Sequence, residues 1–185
     1  MTEDDPMKSP IYAQRRVEAK MLAHVHATLT ASHGREVADA TIRDAVRAAS
    51  IEQAREMAEE GRAAGAPPSM KNFQRLYELW ARGGALEVEV LRADERAFDF
   101  DVTRCRYAEM YREMGLGRIG HLLSCQRDGT FCEGYDPSIR MTRAQTIMSG
   151  ADRCTFRYRV ADQAPDQAAS SAATTASPIS DVEAG

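Results

Sequence analysis

The sequence predicts an α+β domain in which N-terminal helices pack on a four-stranded, mainly antiparallel sheet with further helices crossing over between its strands. Three observations predict it. From residue 10 to Gly83 the apolar residues recur at helical spacing. The period then drops to two in "ALEVEVLRA" (85–93) and "DERAFDFDVTR" (94–104). After a second helical stretch, two more strand-like segments close the domain.

The elements follow in order. "IYAQRRVEAKMLAHVHATLTASHG" (11–34) puts Val17, Met21, Leu22, Val25 and Leu29 on one helical face, expected to be buried, and "SHG" punctuates it. A second long helix starts at Arg35 with Val37, Ile42, Val46 and Ile51 facing inward, and stops near "GAPP" (65–68), where proline cannot continue it. Ser69 is the candidate N-cap of a third helix, "MKNFQRLYELWAR", with Phe73, Leu76, Tyr77 and Trp80 on one face and Gly83 and Gly84 at its end.

The alternation of 85–104 makes an antiparallel hairpin with one apolar face. "CRYAEMYREMGLG" (105–117) returns to helix, with Cys105, Ala108, Tyr111 and Met114 inward and Gly115 or Gly117 closing it. "RIGHLLSCQRD" (118–128) reads as a short helix ending at Gly129, "GTFCEGYDPS" (129–138) as turns, and "IRMTRAQTIMSG" (139–150) with "DRCTFRYRV" (152–160) as a strand pair turning near Gly150. Residues 1–9 are expected to be flexible, 10–160 to form a single hydrolase-like α+β domain, and 161–185, poor in large apolar residues, to be a disordered tail.

Composition excludes several classes. The chain has 185 residues and a formal charge of −4, with 24 basic residues against 28 acidic ones and no basic run interleaved with aromatics, so no nucleic-acid partner is expected. No apolar window approaches the roughly 18 residues of a membrane span, and "MTEDDPMKSP" lacks the apolar core of a signal peptide. A cytoplasmic protein with no membrane partner is therefore expected. In that compartment Cys105, Cys125, Cys132 and Cys154 are expected free, and their separations of 20, 7 and 22 residues contain no CxxC pair for structural zinc. No cofactor is expected. The long helices permit a homo-oligomer without requiring one.

Residues 120–139, "GHLLSCQRDGTFCEGYDPSI", concentrate the reactive types. On a helix, His121 and Cys125 share a face with Cβ atoms about 5–6 Å apart, so an imidazole could take the thiol proton, and Asp128 could orient it or position a water. The competing reading is a buried cysteine beside a hydrogen-bonded histidine, supported by the thiol's place near the end of a short helix, where the dipole raises its pKa. His24, His26 and His33 lack the three- or four-residue spacing of a helical metal pair and read as satisfied or exposed. Arg140 and Arg143 either pair with Glu87, Glu89 or Asp99 across the sheet or hold a substrate carboxylate in a bidentate fork. "GLGRIG" does not follow a strand, so its glycines read as caps and not as a dinucleotide loop.

With Cys105 opening a helix, Cys125 and Asp128 in a Cys-x-x-Asp, Arg143 and Thr146 beyond it, and Gly150 before Cys154 and Phe156, the run from 105 to 159 resembles the L-2-amino-thiazoline-4-carboxylic acid hydrolase family. The helical half, with "HGREVA" at 33–38, is similar in style, so the resemblance spans about residues 12–160. It implies a hydrolase acting on carbon–nitrogen bonds of a cyclic amidine or amide. The type substrate is a small carboxylate-bearing heterocycle, 2-amino-thiazoline-4-carboxylate, which opens to a carbamoyl-cysteine. Cys125, Asp128 and His121 are then the catalytic candidates and Arg143, Thr146, Cys105 and Cys154 the substrate-binding ones; Cys132 receives no role.

Hydrolysis at the amidine-like C2 needs a nucleophile, a proton for the departing ring atom and a partner for the carboxylate. Cys125, or a water beside Asp128, would attack, with His121 shuttling the proton and Arg143 holding the carboxylate. Two other readings are a small-molecule binding or sensor domain without turnover, and a metal-dependent hydrolase with Cys and His ligands.

Overall fold

The computed structural model describes residues 5–161; the expected tail from 162 onward lies outside them. After a short 3-10 turn at Pro6–Lys8, three helices follow: α1 (Pro10–His33), α2 (Arg35–Ala63) and α3 (Met70–Ala81). The hairpin β1 (Leu86–Ala93) and β2 (Ala97–Cys105) leads into α4 (Arg106–Glu113), a single π turn at His121–Cys125, and α5 (Arg127–Tyr135). β3 (Ile139–Thr142) and β4 (Cys154–Val160) complete one antiparallel sheet of order β1-β2-β4-β3. The α+β architecture predicted from the change of period is the one observed. No helix among the described residues is long and apolar enough to cross a membrane.

Local chemistry sets the boundaries. Ser9 and Ser69 accept from the Tyr12 and Asn72 backbone N–H groups at the starts of α1 and α3. The Asp94 carboxylate accepts from the Arg96 and Ala97 N–H groups and closes the β1–β2 turn. Gly115, at φ +73°, ends α4 as the Leu116 N–H reaches back to the Tyr111 carbonyl. One sheet face carries Phe98, Phe100 and Val102 of β2 with Cys154, Phe156 and Tyr158 of β4, and α3 and α5 cover it through Phe73, Phe131 and Tyr135. On the other face Asp99 pairs with Arg159, and Asp101 with Arg157 and Arg153.

Four local expectations are corrected. The buried face of α1 is not the apolar stripe: Val17 and Met21 are 70% and 67% exposed, Val25 is also exposed, and the inward residues are Ile11, Tyr12, Arg15 and Ala19. A polar cluster described below occupies that inner face, so hydrophobicity alone points to the wrong side of the helix. Likewise on α2, Val37 faces out and Ile51 is half-buried, while Ala38, Ile42, Val46, Ser50, Ala54 and Ala58 form an inward row at four-residue spacing.

The helix expected to stop at Gly129 instead runs through it to Tyr135. Its glycines serve packing: a β-carbon on Gly134 would overlap the Ile51 carbonyl oxygen and lie 2.9 Å from Ala54 Cβ. The small row on α2 and the bare Cα on α5 let the two helices meet closely. Finally, the last two strands are not a tight hairpin. β3 ends at Thr142, and a 3-10 turn at Ile147–Ser149, closed by Gly150 at φ +98°, sits in the connection.

Candidate active site

The π turn and α5 form the floor of a cavity of about 100 Å³ between the helices and the inner sheet face. Cys125 is the last residue of the π turn, and Asp128 lies in the first turn of α5. Cys105 stands at the junction of β2 and α4, Cys154 opens β4, and Arg143 is the first residue beyond β3. Five of the residues singled out in the sequence, Cys105, Cys125, Asp128, Arg143 and Cys154, thus line one cavity, together with an aromatic wall that includes Phe73, Tyr77 and Trp80 of α3.

His121 and Thr146 are not among the lining residues. The His121 side chain is exposed at the start of the π turn, and the Thr146 hydroxyl accepts from the Ser149 N–H and caps the 3-10 turn. Among the remaining histidines, His24 and His33 are exposed and His26 Nε2 lies 2.7 Å from Asp39 Oδ1. No group of three or more His, Cys, Asp or Glu side chains among the described residues is placed to hold a metal ion.

Arg143 does not reach Glu87, Glu89 or Asp99. One of its terminal nitrogens donates to Asp128 Oδ2 and the other to the Cys125 carbonyl at 2.8 Å, while its guanidinium carbon sits 4.9 Å from the Phe156 ring centroid. Asp128 is half-buried, with 31% of its side chain accessible, as expected of a group facing a cavity. Burial pushes its carboxyl up from the ordinary value, and Arg143 opposes that shift.

The thiols are all pushed up by burial, Cys105 and Cys132 to about 12, and Cys125 and Cys154 in the same direction. For Cys125 the neighbouring Asp128 adds to the shift. The cause is desolvation and not a helix C-terminus, because the chain continues from Cys125 into α5. Cys132 does not line the cavity.

Other lining residues carry no signal in the sequence pattern. Arg15 of α1 and Arg127 of α5 are 3% and 8% exposed. Arg15 donates to both Glu18 carboxylate oxygens at 2.9 Å and to Gln53 Oε1 at 2.7 Å; Arg127 donates to Glu18 Oε2 at 3.0 Å and to the Leu123 carbonyl at 3.1 Å. The Tyr77 hydroxyl is buried and has no hydrogen-bond partner among the described residues. Such an orphaned group at a cavity wall is what a polar ligand atom satisfies.

The model of the L-2-amino-thiazoline-4-carboxylic acid hydrolase family matches residues 14–158, from α1 through β4. The chain belongs to that family. Family members are hydrolases acting on a cyclic amidine. No curated protein matches this family member. Among solved structures, the phenol-responsive sensory domain of the transcription activator PoxR, crystallised with phenol, aligns at 15% identity and a TM-score of 0.49, over 80% of this chain and 76% of that one.

Proposed function

We propose that this hydrolase opens a small carboxylate-bearing heterocycle of the 2-amino-thiazoline-4-carboxylate type, giving a carbamoyl-cysteine, with Asp128 as general base. The observation that carries the reading is a carboxylate held by Arg143 at the wall of an internal cavity. A carboxyl whose pKa burial raises is better matched to deprotonating water than an ordinary one.

Water gives its proton to Asp128 as its oxygen bonds to C2, and the C2=N3 electron pair moves to N3, which takes a proton. The tetrahedral adduct then collapses: the new hydroxyl loses its proton, the carbonyl forms, and the C2–N3 bond breaks with its electron pair on nitrogen. Protonation of that nitrogen gives S-carbamoyl-cysteine, the sum of substrate and one water. Asp128 can carry the proton in both directions, so no step requires the exposed His121. Cys125, protonated at neutral pH because burial opposes the thiolate, lines the site beside Asp128 and is not the nucleophile.

Turnover of 2-amino-thiazoline-4-carboxylate by the wild type, Asp128→Asn and Cys125→Ser, with metal content recorded, tests the reading. Asp128→Asn should lose about 10²–10⁴-fold in kcat, and Cys125→Ser should stay within about tenfold of the wild type. A thiol reagent identifies the broken bond, since C2–N3 cleavage leaves no free thiol in the product and C2–S cleavage does. Binding without turnover by the wild type would move the function to ligand recognition alone.

A further inference from the structure

Arg143 has a carboxylate to itself in Asp128, whereas Arg15 and Arg127 share the single carboxylate of Glu18. We infer that Arg15 and Arg127, bridged by Glu18, form an anion subsite in the same cavity that takes the carboxylate of a small planar ring. The inference rests on the ring-opening reading for the identity of the ring, but not for the charge it carries.

The argument is one of charge and donors. Three guanidiniums line the cavity, Arg15, Arg127 and Arg143. Among the described residues two carboxylates pair with them: Asp128 with Arg143, and Glu18 with both Arg15 and Arg127. One positive charge is left in excess, and it belongs to the Arg15 and Arg127 pair. Two guanidiniums offer about ten N–H donors. The acceptors they meet are one carboxylate, the Gln53 amide oxygen and the Leu123 carbonyl.

Placing a second guanidinium against a single carboxylate at 3% and 8% exposure is costly unless an anion completes the set. Burial and the neighbouring Arg15 pull Arg127 down to about 10, in keeping with a cation short of negative partners. The cavity wall thereby carries two unlike groups. Arg15 and Arg127 present uncompensated positive charge, whereas Asp128 presents the acidic group, and the aromatic residues of α3 lie on the wall. A small planar ring that carries a carboxylate and an amidine matches both groups.

Calorimetry with thiazole-4-carboxylate and its neutral isostere thiazole-4-carboxamide tests this without any turnover. Neither aromatic ring offers the cyclic amidine of the substrate, so the assay is independent of catalysis. The wild type should bind the acid about tenfold or more tightly than the amide, the loss expected when charge-assisted hydrogen bonds are removed. Arg15→Met and Arg127→Met should bring that ratio toward one. Glu18→Gln, which keeps both guanidiniums and removes their carboxylate, should raise it. A wild type that does not favour the acid, or a preference that survives both arginine variants, overturns the inference. Acid preference with no hydrolysis of the thiazoline leaves the anion subsite standing and removes the ring-opening reading instead.

Discussion

Arg143 spans Asp128 and the Cys125 backbone, donating to the carboxylate with one terminal nitrogen and to the carbonyl with the other. A residue just past β3 thereby fixes the relative position of the π turn and the first turn of α5. Arg143→Ala would leave a carboxylate facing the cavity unpaired and should cost about 3 kcal/mol in chemical denaturation. In kinetics it should also move the acid limb of kcat/KM to higher pH, because the cation that lowers the Asp128 pKa is gone. An unmoved acid limb would separate Arg143 from the base.

The wild type should itself lose activity on acidification at a higher pH than an ordinary carboxylate would give, since the base must be ionised and burial raises its pKa. Stability runs the other way. A carboxyl raised in the folded state contributes most below its ordinary value of 3.8, and that contribution is lost as pH rises through the raised value. Asp128→Asn should therefore gain in Tm relative to the wild type as pH increases across that window, which differential scanning calorimetry at several pH values reads directly.

The thiols supply a chemical test of the mechanism. With burial holding them protonated, Cys125 and Cys105 should resist iodoacetamide in the folded protein at pH 7.5 and react after denaturation, as followed by mass spectrometry of the peptides. Rapid alkylation of Cys125 in the folded state would bring back the thiolate as nucleophile.

Tyr77→Phe removes a buried hydroxyl that has no hydrogen-bond partner among the described residues. Fold stability should be unchanged or rise by about 1 kcal/mol. If the hydroxyl meets the ligand, KM should rise several-fold with kcat less affected. A variant with unchanged KM and unchanged stability would leave the hydroxyl without a role.

Gly134→Ala should destabilise by about 2 kcal/mol despite the better helix propensity of alanine, because the new methyl meets the Ile51 carbonyl and Ala54 across the contact of α2 with α5. Gly129→Ala, where the nearest side-chain atom is the terminal methyl of Met141 at 3.2 Å, is the milder control for urea denaturation.

Periodicity and punctuation alone determined the order of helices and strands in this protein, the cap at Ser69, a glycine stop to α4 at Gly115 or Gly117, and the alternation that faces Phe98, Phe100 and Val102 to the core. These are local properties: a 3.6- or 2-residue period, a hydroxyl one turn before a helix, a glycine able to take positive φ. The motif around Cys125 and Asp128 was legible as well, because its members lie close in the chain. Tertiary structure alone decided which face of α1 turns inward, since that face is built from Arg15, Glu18 and Ala19, and the hydrophobic pattern of Val17, Met21 and Val25 points the other way. It also decided that Gly129 and Gly134 belong inside a helix, and that Arg143 reaches Asp128 and not the sheet carboxylates. The physical reason is the same in each case. Charge pairing across 109 residues from Glu18 to Arg127, and the close approach of two helices, depend on where distant segments meet, and no local period encodes that.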